Sequence, residues 1–230
     1  MDLGAGDNLV IAGQGSDSVI TTDGNDVVIG DSGEANFTVD GVITDITSNA
    51  QTNDGSDTLN LGAGNTVVIA GQGDDSVSSA NGSDVVLGDS GSASFDGTDG
   101  SLMQMVSSDV DQGGTDTINL GSGDTYVIAG QGDDSVTSTD GADVVIGDAG
   151  QADFTADGVL TSLQSQDETN GGDDTLSVGD GGAQIIGGDG SDTIRSGTGD
   201  EQILGDSGIM SVKGAKRKRP TATGAAASPK

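Results

Sequence analysis

Apolar side chains recur along this chain with a period of nine. Phased so that the fourth residue of each block is Gly, nineteen nonapeptides fill 3–38, 52–96, 111–155 and 169–213. The eighth residue is Val, Ile, Leu or Phe in all 19, among them Val19, Leu59, Phe95, Ile118 and Ile194. A Gly-rich hexapeptide turns tightly because Gly accepts positive φ without a Cβ clash. The three residues that follow form a short strand whose middle side chain points inward. Successive strands fall on opposite sheets, and strands two blocks apart stack at about 4.8 Å. The fold class is therefore all-β: a β-solenoid of nonapeptide repeats carrying inserts of 13–14 residues. Nineteen blocks predict roughly nine coils, a solenoid about 45 Å long at that spacing.

A longer period overlies the short one. Segments beginning at Leu3, Leu61, Leu120 and Val178 are copies spaced 58, 59 and 58 residues apart. The roll at 3–213 thus divides into about 3.5 long repeats (3–60, 61–119, 120–177 and 178–213), followed by a basic, disordered tail at 214–230. Each long unit holds five blocks. On blocks one, three and five the outward seventh and ninth positions read as polar, as in Thr58/Asn60, Ser76/Ser78 and Thr117/Asn119, with Ile20 an exception. On blocks two and four they are mostly apolar, as in Val67/Ile69, Val85/Leu87 and Tyr126/Ile128. Strands apolar on both faces are usually buried on both, so one sheet faces water and the other needs a cover. The inserts at 39–51, 97–110 and 156–168 supply apolar residues for it, including Ile43, Ile46, Leu102, Met105, Leu160 and Leu163. Asp40-Gly41 and Asp157-Gly158 mark tight hairpin turns within two of them. The other occupant for that sheet is a second chain.

Charge changes the picture next. All 38 carboxylates precede residue 213, where Arg195 is the one basic residue, so the body carries −37. With three Phe, one Tyr and no Trp, no thick aromatic core balances that repulsion. Such a chain resembles a disordered one unless a counter-ion neutralises it, and an excess of oxygen ligands selects a hard divalent cation. Nucleic acid and anionic membrane are poor partners for so acidic a body. The absence of Cys and His excludes disulfides, thiolate sites and ordinary zinc or imidazole chemistry. No apolar run reaches a membrane span. The chain enters the repeat at Met1-Asp2 without an export leader, which reads as a piece of something larger.

Gly187-Gly188-Asp189-Gly190-Ser191-Asp192-Thr193-Ile194-Arg195 fits the nonapeptide G-G-x-G-x-D-x-U-x at every specified position, and Ala12 to Ile20 fits less one Gly. On these residues the chain resembles the RTX (repeats-in-toxin) calcium-binding family of large secreted bacterial proteins. That resemblance implies a right-handed parallel β-roll, Ca²⁺ held between turns two blocks apart by backbone carbonyls and sixth-position Asp, type I secretion, and folding in calcium-rich surroundings. The candidate ligands are the ten sixth-position residues: Asp17, Asp26, Asp57, Asp75, Asp84, Asp116, Asp134, Asp143, Asp174 and Asp192. Asp57/Asp75, Asp116/Asp134 and Asp174/Asp192 share one edge and form the best pairs. On the opposite edge Asp26, Asp84 and Asp143 face Asn8, Thr66 and Thr125, so those sites are weaker or absent. The last unit departs further, with Ala183 and Glu201 there. Fifth blocks carry Ala35, Ala93 and Ala152 at the sixth position, although Asp31, Asp89 and Asp148 at the second position supply an oxygen.

Gly30-Asp31-Ser32-Gly33 and its copies resemble a serine-hydrolase signature, but they recur in repeat register and no His exists to serve a triad. The chain is read as non-catalytic. The tail, with Lys216-Arg217-Lys218-Arg219-Pro220, matches a polyanion-binding or import signal in composition but reads as a disordered end. The functional expectation is a calcium-binding spacer in a secreted, cell-surface adhesin or matrix protein. The alternative is the C-terminal secretion and folding module of an RTX exoenzyme whose catalytic domain lies elsewhere. Ligand or ice recognition by the Ser/Thr-rich sheet ranks below both.

Overall fold

The computed structural model describes residues 1–49, 54–108, 112–166 and 171–211; the basic tail lies outside them. The described residues are all-β, in three sheets. The polar sheet of the roll stacks β1 (Asp2–Gly4), β3 (Ser18–Thr21), β7 (Thr58–Asn60), β9 (Ser76–Ser78), β13 (Thr117–Asn119), β15 (Ser135–Thr137), β19 (Thr175–Ser177) and β21 (Thr193–Arg195). The opposing apolar sheet stacks β2 (Leu9–Ile11), β4 (Val27–Ile29), β8 (Val67–Ile69), β10 (Asp84–Leu87), β14 (Thr125–Ile128), β16 (Asp143–Ile146), β20 (Ala183–Gly188) and β22 (Gln202–Asp206). Every pairing in both is parallel, as in Leu59↔Val77 and Val86↔Val127. Between the sheets the eighth-position side chains form one closed core row, from Val19 and Leu59 to Ile118, Val136 and Leu176, each fully buried.

The fifth block does not join the roll, which corrects the expected grouping of blocks one, three and five. Its residues form β5 (Gly33–Phe37), β11 (Gly91–Phe95) and β17 (Gly150–Phe154), each antiparallel to the insert strand that follows: β6 (Ile43–Ser48), β12 (Leu102–Ser107) and β18 (Leu160–Ser165). With β23 (Ile209–Ser211) they make a continuous seven-stranded third sheet. The physical reason is a switch of period: Glu34-Ala35-Asn36-Phe37 alternates polar and apolar over more residues than a three-residue roll strand holds. Phe95 and Phe154 therefore leave the inner row and join the outer core. Each sheet of the roll thus holds eight strands, not nine or ten, and spans about 34 Å from first to last at the usual strand spacing.

The third sheet is the cover that the apolar sheet requires. Ile43, Ile46, Leu102, Met105, Leu160 and Leu163 close over Val27, Ile29, Val67, Ile69, Val85, Leu87, Tyr126, Ile128, Val144 and Ile146 in one buried cluster. The Tyr126 and Phe154 rings meet edge to face at 5.3 Å. Burying a side chain of this size contributes about 1.5–3 kcal/mol, so this second core roughly doubles what the thin inner row supplies. The hairpins also interlock: Ser48 and Ser107, ending two insert strands, accept the Gly91 and Gly150 N–H groups at 2.9 and 3.1 Å. Leu9 and Ile11, on the first coil, remain exposed.

Candidate metal centre

Stacking the coils places the sixth-position residues along the two edges of the roll. On one edge seven of the ten candidates form an unbroken ladder. The Asp17 N–H donates to Asp57 Oδ1 at 2.7 Å, Asp57 to Asp75 at 2.6 Å, Asp75 to Asp116 at 2.8 Å, Asp116 to Asp134 at 2.7 Å, Asp134 to Asp174 at 2.9 Å and Asp174 to Asp192 at 3.0 Å. Expulsion of the fifth block is what makes Asp75 and Asp116 neighbours although 41 residues separate them. The sequence suggested isolated pairs; the fold joins them into a strip.

The Oδ1 atoms are thus bound, but the Oδ2 atoms of Asp57, Asp75, Asp116, Asp134, Asp174 and Asp192 are buried without a hydrogen-bond partner. A buried anionic oxygen without a donor is strongly unfavourable. Burial, augmented by neighbouring carboxylates, lifts Asp75 to about 9, Asp116 and Asp174 to about 8, and Asp134 to about 10, while accepted backbone N–H bonds pull the other way. Asp57 rises to about 6 for the same first reason, and Asp192 rises too. Bare and ionised, the strip would be repelled from its own interior.

On the other edge Asp26, Asp84 and Asp143 have no such deficit, and only Glu201 of the last unit keeps a buried oxygen, Oε1, without a partner among the described residues. Asp84 Oδ1 accepts from the Thr66 N–H and hydroxyl at 3.0 Å each, and its Oδ2 accepts from Ser79 Oγ at 2.6 Å. Asp143 repeats this with Thr125 and with Ser138 at 2.7 Å, and Asp26 with Asn8 and with Thr21 at 2.7 Å. Between third and fourth blocks the distinguishing position is the first. Fourth blocks begin with Thr21, Ser79 or Ser138, whose hydroxyl reaches the Asp five residues on. Third blocks begin with Ala12, Ala70, Ala129 or Gly187, which have nothing to donate. Sequence reading caught the Asn and Thr partners across the edge and missed these hydroxyls, although their spacing was visible.

Whether the ladder suits a cation is decided by its donors. They are oxygens only, which suits a hard ion such as Ca²⁺. Among the described residues no three carboxylates gather around one point, so further ligands have to come from backbone carbonyls. Such carbonyls are at hand. A Cβ on Gly30 would fall 2.2 Å from Asp57 Oδ2 and 2.3 Å from the Ala70 carbonyl oxygen. On Gly88 it would meet Asp116 Oδ2 at 2.3 Å and the Ala129 oxygen at 2.2 Å. Two acceptors thus share a recess that only Gly leaves open, and no donor serves the carboxylate oxygen. The residues fit the ion.

Compared with known proteins, the chain matches the family model described as RTX calcium-binding nonapeptide repeat (4 copies) over residues 2–34, 51–86, 62–95, 120–151 and 178–209. No curated protein and no solved structure matches it.

Proposed function

The chain belongs to the RTX calcium-binding nonapeptide repeat family, and from that premise we propose that it is a structural spacer whose roll forms when Ca²⁺ fills the ladder edge. The observation that carries this reading is the row of six buried carboxylate oxygens without donors. Asp57/Asp75, Asp116/Asp134 and Asp174/Asp192 would hold the ion with nearby backbone carbonyls. Bound Ca²⁺ supplies positive charge where the protein has none, so the two apolar cores can close. Asp26, Asp84 and Asp143, already satisfied by hydroxyls and amides, serve as structural hydrogen-bond centres.

The wider role we assign is extension within a secreted, cell-surface adhesin or matrix protein. Near-identical units lengthen a solenoid without new chemistry, because each coil contacts only its neighbours. The Gly-Asp-Ser-Gly motifs support a non-catalytic reading, since each marks a point where the chain leaves the roll for the third sheet. The test is a calcium titration of the purified chain followed by far-UV circular dichroism, with Mg²⁺ as control. A cooperative coil-to-β transition with Ca²⁺, reversed by EGTA, is expected. A chain equally β-rich after exhaustive calcium removal at neutral pH would overturn the proposal.

A further inference from the structure

The second residue of each fifth block is Asp where the nonapeptide motif carries Gly, and Asp31, Asp89 and Asp148, unlike the exposed Asp206 of the last block, precede a further unit. None of the three is surface-exposed; they are 1, 4 and 0 % accessible. Each reaches from the hairpin take-off into the turns of the following unit. Asp89 accepts the Gly114 N–H at 3.2 Å and the Gln131 N–H at 2.5 Å. Asp148 accepts from Gly172 at 3.1 Å and from Asp189, and Asp31 from Gln72 at 2.6 Å.

A hydrogen-bonded clamp alone does not account for what surrounds them. Asp31 Oδ1 is buried and makes no regular hydrogen bond, with the Gly55 N–H the donor in its reach. Each take-off residue directly follows the glycine whose recess opens on a ladder carboxylate: Gly30 on Asp57, Gly88 on Asp116 and Gly147 on Asp174. Those three ladder residues have unpartnered Oδ2 atoms, and each Oδ2 shares a glycine recess with a carbonyl oxygen. At Gly147 the recess lies 2.0 Å from Asp174 Oδ2 and 2.5 Å from the Gly187 oxygen, repeating Gly30 and Gly88. The same set recurs in three units: two buried carboxylates, one carbonyl, and no cationic side chain. Like charges held this close in a dry setting call for a cation.

We propose that each hairpin take-off is an additional Ca²⁺ site, in which Asp57, Asp116 and Asp174 bridge from the ladder ion to a second ion held by Asp31, Asp89 and Asp148 and by the carbonyls of Ala70, Ala129 and Gly187. The inference rests on the calcium reading above and extends it to carboxylates outside the nonapeptide motif. Its consequence is that the ion fixes the third sheet to the roll as well as closing the roll itself.

The test is the number of Ca²⁺ ions bound per chain at neutral pH, by equilibrium dialysis and calorimetry, in the wild type and in Asp31→Asn/Asp89→Asn/Asp148→Asn. Asn keeps the size and one acceptor oxygen, so the clamp persists in part. Three ions fewer, or three ions bound at least tenfold more weakly, with β structure still gained in calcium, is the expected result. An unchanged number and affinity, accompanied only by a lower melting temperature, would leave Asp31, Asp89 and Asp148 as clamps and overturn the proposal. A wild type that binds no calcium would sink the parent reading as well. Should the triple variant not fold, Asp31→Asn alone is read in the same way, with one ion lost.

Discussion

Protons should replace calcium in forming the roll. Asp75 and Asp134 are the carboxylates most strongly raised, to about 9 and about 10 from 3.8, chiefly by burial. A group whose pKa is higher in the folded state contributes its stability below the unfolded value and loses it as pH rises through the folded one. Between pH 5 and pH 8 both residues stay protonated in the calcium-free roll and ionise when it unfolds. Each then withdraws about 1.4 kcal/mol per pH unit, so the pair removes about 8 kcal/mol across that window. Asp116 and Asp174, near 8, act in the same direction. A whole domain is usually stable by about 5–15 kcal/mol, so a loss of this order is comparable with the entire stability of the roll. The assay is circular dichroism of the calcium-stripped chain at pH 5 and pH 8, above the isoelectric point of about 4.1. β signal at pH 5 and its loss by pH 8 are expected, while saturating calcium restores the signal at pH 8. Identical β content at both pH values without calcium would refute the reasoning.

Three further outcomes follow from particular contacts. Ala70→Ser places on the ladder edge the hydroxyl that Ser79 provides on the other; it should serve Asp75 Oδ2 and remove or weaken one bound calcium in calorimetry. Met105→Ala, at a fully buried position under the third sheet, should cost about 2–5 kcal/mol in urea unfolding of the calcium-loaded chain and raise binding of a hydrophobic dye. Gly121→Ala would drive a Cβ to 1.1 Å from the Ala80 carbonyl oxygen of the preceding coil. Coils cannot stack through that overlap, so limited proteolysis should cut near residue 121 in the variant and spare the wild type.

Much of this architecture was legible from period alone. Gly at the fourth position and an apolar eighth position defined the turns and the inner row, and the apolar seventh and ninth positions of blocks two and four called for the cover that Ile46 and Met105 provide. The fifth block deceived because Phe37, Phe95 and Phe154 satisfy the eighth-position rule while belonging to a different strand. Its signals were present but local: Ala in place of the sixth-position Asp, a two-residue alternation, and an insert directly after. With that block counted in the roll, Asp75 and Asp116 could not be seen as neighbours, nor the ladder as continuous. Burial of the Oδ2 atoms was not legible at all, because it depends on how the stacked coils close around them.

Joining β9 to β13 by way of a hairpin raises the separation between stacked partners from 18 residues within a unit to 41 between units. Loop closure grows only as the logarithm of length, so this detour adds about 0.7 kcal/mol of chain entropy to a coil. One buried leucine such as Leu163 offsets it several times over. A solenoid of this kind can therefore sprout a side layer at any turn where glycine opens the exit, and its girth becomes adjustable independently of its length.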